Sequence, residues 1–98
     1  MTLADQVLKV RSKNAGPFWV TIDIFCGSAE VFARVAPRLT VETVARLYAT
    51  PVQLVKRFDI PELAVIKVSI PRPVVQGAAE DRDMHGAQWA HLLAEAEI

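Results

Sequence analysis

The chain has 98 residues, 52% of them hydrophobic and 22% charged, and its 11 basic and 11 acidic side chains cancel to zero formal charge. This length makes one ordinary domain, and the apolar fraction is large enough to oppose the entropy of ordering it, so a disordered chain is not expected. A neutral balance lacks the basic excess that binding to a phosphate backbone relies on, and no apolar run approaches the ~18 residues of a membrane span, so neither nucleic acid nor a membrane is an expected partner.

The positive mean hydropathy is high for a domain of this size. It points to a homo-oligomer or to burial against a larger partner. A single cysteine, Cys26, cannot form an internal disulfide, and with two histidines it offers too few ligands for structural zinc. No metal or other cofactor is expected, and a reducing, cytoplasmic setting fits. The N-terminus MTLADQVLKV lacks a basic-then-apolar signal layout.

In chain order, residues 6–11 alternate, with Leu8 and Val10 opposite Val7, Lys9 and Arg11, which predicts a half-buried strand. Residues 18–26 alternate more clearly: Phe18, Val20, Ile22, Ile24 and Cys26 share one face, and Trp19, Thr21, Asp23 and Phe25 the other. Between them SKNAGP has the Asn, Gly and Pro of a hairpin loop. The period then changes. Ala29, Phe32, Ala33 and Ala36 predict a helix capped by Ser28 and ended by Pro37, and Val41, Val44, Ala45 and Tyr48 a second, capped by Thr40 and closed by Pro51.

Residues 53–59 read as a helical turn leading to a link. LAVIKVSI is the next strand, with Ala64, Ile66, Val68 and Ile70 on one face and Leu63, Val65, Lys67 and Ser69 on the other. PRP stops it. The stretch 74–83 reads as loop or edge structure, and from Met84 the composition is helix-forming, weakened at Gly86. Residues 1–98 are one domain of the α+β class, a small, mostly antiparallel sheet with helices on one face. A ferredoxin-like sandwich is the nearest common solution, its fourth strand expected near residues 73–76 or at the C-terminus.

RSKNAGPF running into VTIDI, then LTVETVARLY, AVIKVSIPRP and a GAQ-containing tail together resemble domain-of-unknown-function family 4387 (DUF4387) over nearly the whole chain. The most specific parts are residues 11–18, 70–73 and 86–88. The resemblance implies a ferredoxin-like fold similar to the C-terminal region of larger AtuA-type proteins, named from acyclic terpene utilisation. It also implies an accessory role beside such a protein in catabolism. No catalytic residue comes with it.

Arg11, Ser12, Lys13 and Asn14 bring two cations, a hydroxyl and an amide beside the flexible Gly16, a set suited to a carboxylate or phosphate, although a solvated hairpin loop would have the same composition. Asp23 is out of place in a strand centre, on the face of Trp19 and Phe25, and with Lys67 and Ser69 on a neighbouring strand and Lys9 and Arg11 on the first it forms either a polar cluster or an ordinary cross-strand Asp–Lys pair. Arg72, held between two prolines, either points at the RSKNAGP loop and completes an anion site or, more plainly, lies in an exposed segment that ends the strand. Gln88, with Trp89, is a contact candidate. His85 and His91 lie six residues apart and would not converge on a metal.

These readings favour a non-catalytic accessory domain in the catabolism of organic acids or acyl-CoA compounds, associated with a larger AtuA-type protein and with itself. The alternative is the small subunit of a hydratase- or lyase-type enzyme. There Arg11, Lys13 and Arg72 would hold a carboxylate or acyl-CoA ligand and Asp23 or His85 would do acid–base work.

Overall fold

The computed structural model describes residues 1–72 and 89–98. Thr2 opens the chain with a reciprocal capping box, its hydroxyl accepting from the Asp5 amide while the Asp5 carboxylate accepts from the Thr2 amide, and so starts the single turn α1, Leu3–Gln6. Strand β1, Lys9–Asn14, and strand β2, Trp19–Phe25, follow as an antiparallel hairpin. Ser28 accepts from the Val31 amide at the start of α2, Ala29–Val35, and Thr40 from the Thr43 amide at the start of α3, Val41–Leu47. These are the two caps that the residue types call for. A short 3-10 turn, Val52–Leu54, leads into β3, Lys56–Ile60. A second turn returns the chain as β4, Val65–Pro71, and α4 spans Trp89–Ala94.

The four strands form one antiparallel sheet in the order β1-β2-β4-β3. Because β4 lies between β2 and β3, those two run parallel to each other with α2 and α3 bridging them. That is the split βαβ unit of a ferredoxin-like sandwich. The place beside β2 that a last strand would take is filled from the N-terminus, by β1. Both termini accordingly meet: the Leu3 amide donates to the Ala96 carbonyl at 2.9 Å, and Thr2 bridges to Glu97.

The core lies between one sheet face and the helices. Val20, Ile22 and Ile24 of β2 and Ile66, Val68 and Ile70 of β4 are essentially fully buried there, with Leu3 of α1, Val35 of α2, Leu39, Val44 of α3 and Leu93 of α4. Each large aliphatic side chain buried this way contributes about 1.5–3 kcal/mol. These are the inward faces expected for β2, β4 and α3.

Three expectations are corrected. The fourth strand is β3, in a stretch read as a turn and link, because its alternation places Arg57 rather than an apolar residue toward the helices. The ladder of β1 begins at Lys9, which leaves Leu8 71% exposed, and Phe18 falls in the hairpin loop, 59% exposed. In α2 the inward residues are Val31, Phe32, Val35 and Ala36, while Ala29 and Ala33 face out. The expected alternatives for a fourth strand meet different ends: residues 73–76 lie outside the described residues, and the C-terminus makes one isolated bridge.

Arg57 acts as a tie. Its guanidinium donates to the carbonyls of Ala36, at 2.8 Å, and Leu39, and it pairs with Asp59 at 2.8 Å. The carbonyls at the end of α2 have no continuing helix to satisfy them, so a strand side chain does so. Arg57→Met, which keeps the apolar stem, is expected to lower the unfolding free energy by about 2 kcal/mol through these charged hydrogen bonds. A urea titration at unchanged slope would register it; an unaltered midpoint would mean the tie carries no stability.

Candidate functional site

The hairpin joining β1 and β2 turns over residues 15–18, closed by the Ala15 amide donating to the Trp19 carbonyl at 2.9 Å. Gly16 sits there at φ +79°, a left-handed backbone that favours glycine. Arg11, Ser12, Lys13 and Asn14 belong to β1 itself, so strict alternation divides them. Lys9, Arg11 and Lys13 point away from the helices and are exposed, and Val10, Ser12 and Asn14 are half-buried on the helix side.

On the helix side the polar groups are engaged in structure. Ser12 Oγ accepts from the Ala90 amide at 2.9 Å, supplying the first turn of α4 with a partner from a distant strand. Asn14 Oδ1 accepts from the Arg72 guanidinium. Arg72 is buried, its own amide donating to the Phe18 carbonyl at 2.7 Å. Arg72 is thus not an exposed strand end: it reaches the RSKN segment, yet on the face opposite Arg11 and Lys13. These three cations do not converge.

The other sheet face is built in cross-strand rows. Arg11, Asp23, Lys67 and Phe58 are in register across β1, β2, β4 and β3, and Lys13, Thr21, Ser69 and Lys56 form the next row. Lys9, Phe25, Val65 and Ile60 form the row on the other side. Lys67 Nζ lies 3.7 Å from Asp23 Oδ1, and this oxygen is buried without a hydrogen-bond donor among the described residues. The expected Asp23–Lys67 pairing is therefore present, as an ion pair longer than a hydrogen bond. Thr21 and Ser69 hydroxyls approach to 3.4 Å.

Two further cations lie over aromatic rings on this face. Lys9 Nζ is 4.9 Å from the Phe25 ring centre, and Lys56 Nζ is 4.7 Å from that of Trp19. Lys56 reaches across β4 because only Ser69 and Pro71 stand between on that face. A cleft of about 290 Å³ opens among Arg11, Ser12, Lys13, Asp23 and Phe25. Its volume is near the lower end for small-ligand sites, about 300–1,000 Å³. Two donors at its rim and a carboxylate in its wall suit an anion that also carries a hydrogen-bond donor.

Sequence reasoning singled out Arg11, Lys13, Asp23 and Lys67, which the sheet brings together. Strand parity also put Lys9, Trp19 and Phe25 on this face; Lys56 was missed, because it needed the position of β3. Gln88 and His85 lie outside the described residues. His91 is exposed on α4, beside a shallow groove against β1. Cys26 is buried, and burial, with Asp59 adding to it, pushes its thiol pKa up, away from reactive thiolate.

The division of β1 makes a direct contrast between neighbours. Asn14→Ala removes a hydrogen bond to a buried guanidinium and is expected to cost about 1.5–3 kcal/mol. Lys13→Ala, one residue away on the solvent side, should stay within about 0.5 kcal/mol. Equal losses in chemical denaturation would contradict the division.

No curated protein and no solved structure matches this chain. The family model described as Domain of unknown function (DUF4387) matches residues 3–97. Covering both the hairpin and the sheet that presents this surface, the match makes the chain a member of the DUF4387 family.

Proposed function

We propose that the chain is a non-catalytic accessory domain that works beside a larger AtuA-type protein in the catabolism of organic acids or acyl-CoA compounds. In this reading its basic sheet face holds the anionic group. The observation that carries the proposal is the segregation of charge: among the described residues Lys9, Arg11, Lys13, Lys56 and Lys67 share one sheet face with a single strand carboxylate, Asp23, although the whole chain is neutral. Such a face concentrates anions locally whatever the total charge. Trp19 and Phe25 add flat apolar area between the cations, suited to a ligand that is part apolar.

The alternative, a small hydratase or lyase subunit, asked Arg11, Lys13 and Arg72 to clamp one substrate. The sheet separates Arg72 from the other two, so that clamp does not form within one copy. A carboxylate or acyl-CoA ligand is better served by Arg11, Lys13 and Lys67.

Thermal unfolding in the presence of acetyl-CoA and of short-chain organic acids tests the anion site. A ligand at 100 times its Kd adds about 2.7 kcal/mol, a shift on the order of 10 °C for a domain of this size. The Arg11→Ala/Lys13→Ala variant is expected to lose the shift, while Arg34→Ala/Arg38→Ala, equal in charge removed and remote from the face, keeps it. An equal response from both variants would reduce the effect to general electrostatics. Association is tested separately by co-expression with the larger protein: failure to co-elute at micromolar concentration would remove the accessory role.

A further inference from the structure

Among the described residues the sheet ends in two edges, β1 and β3, and they differ in a way that selects one for pairing. In a continuous sheet formed by two copies about a two-fold axis, residues of one face stand opposite residues of the same face. Any such pairing of β1 with itself opposes members of the set Lys9, Arg11 and Lys13 to one another, and like charges directly opposed destabilise a pair. Basic residues of this kind are how natural sheets protect an edge. Helix α4 also packs beside β1.

Strand β3 reads Lys-Arg-Phe-Asp-Ile over Lys56–Ile60 and is self-complementary about Phe58. Pairing antiparallel with its own copy, it sets Arg57 opposite Asp59 of the partner subunit on the helix side. On the other face it sets Phe58 against its counterpart, and Lys56 beside Ile60 of the partner subunit. Arg57 and Asp59 are already paired within each copy, so the two neutral pairs meet with opposite charges facing, and the centre is aromatic on aromatic, a favourable cross-strand pair. The surroundings agree: Phe58 is 56% exposed, and Val52, Leu54 and Leu63, in the turns flanking β3, are also exposed. Phe58 is the apolar end of the row Arg11, Asp23, Lys67, Phe58, so pairing here joins the two basic faces into one.

We propose that this chain forms a two-fold homodimer by antiparallel pairing of the two β3 edges, centred on Phe58, giving a continuous eight-stranded sheet. The occupant of the exposed β3 edge is a second copy of the chain, selected by the register about Phe58, which stacks the exposed aromatic on its counterpart and faces each copy's closed Arg57–Asp59 pair with the opposite charges of the other. This inference stands independently of the anion-binding role.

Sedimentation of the purified protein from micromolar to millimolar concentration is expected to show twice the 10.8 kDa chain mass. Phe58→Lys places like charges at the two-fold axis and is expected to weaken the dimer by an order of magnitude or more. Because Phe58 is largely exposed, the variant should keep its fold, checked by circular dichroism. In a Cys26→Ala background, Phe58→Cys is expected to cross-link two chains under mild oxidation, since opposed residues have Cα atoms about 4.5–5.5 Å apart, within disulfide span. Lys13→Cys, on the β1 edge, is expected not to. A monomer throughout the range, a dimer indifferent to Phe58→Lys, or cross-linking through position 13 in place of 58 would each overturn the proposal.

Discussion

The central pair β2–β4 is the constraint on which the rest of the structure depends. Seven consecutive register pairs, from Trp19 opposite Pro71 to Phe25 opposite Val65, lock the two strands together. With register set, a period of two assigns every side chain of both strands to one face or the other, and a slip of one residue would exchange them. Val20, Ile22, Ile24, Ile66, Val68 and Ile70 all need the helix side, so the opposite set, Trp19, Thr21, Asp23, Phe25, Lys67 and Ser69, is delivered to the other side as a consequence. The candidate site is in this sense the reverse of the core.

The same parity divides the RSKN segment into two chemistries. Ser12 and Asn14 spend their hydrogen-bonding capacity on α4 and on Arg72, tying strand to helix and one end of β4 to the hairpin. Arg11 and Lys13, one position away in each case, face solvent. Proximity in sequence therefore says little about a shared site inside a strand: residues i and i+1 look into different environments. Arg72 belongs to the structural half, as its burial and its contact with Asn14 indicate.

What was legible in the sequence followed from apolar period. β2, β4 and α3 carry long, unbroken patterns, and their inward faces follow from the period, apart from Phe18 just before β2. The caps Ser28 and Thr40 were legible because side-chain oxygen before a helical run has one common use. β3 was not, since its alternation is short and inverted, with Arg57 and Asp59 on the inward parity and Phe58 and Ile60 outward; its burial need is met by hydrogen bonds to carbonyls that only tertiary structure brings near. Leu8 and Phe18 extend the alternation of their strands by one residue beyond the point where pairing keeps them inside, an error that pattern alone cannot reveal. The pairing of Asp23 with Lys67 was legible from parity, whereas the part played by Lys56 was not, because it depends on which strand lies beyond β4.

Whole-chain charge also hides what the fold makes. Eleven cations and eleven acids average to neutrality, and on that average an electrostatic surface is not expected. The described acids instead lie mostly in helices, turns and termini: Asp5 and Glu42 in first turns, Glu62 in the turn before β4, and Glu95 and Glu97 at the C-terminus. There Asp5 and Glu42 sit at helix N-termini, where negative charge is favoured by the exposed amides. Helix starts thus hold acids for local reasons and leave the outward positions of the strands to lysine and arginine. Those cations serve two ends with one placement, since a basic outward row both discourages unwanted pairing at the β1 edge and makes the face attractive to an anion. The β3 edge, where the row ends in Phe58 between residues of opposite charge, has neither property, and this difference gives the sheet a direction: a guarded, basic side and an open, self-complementary one.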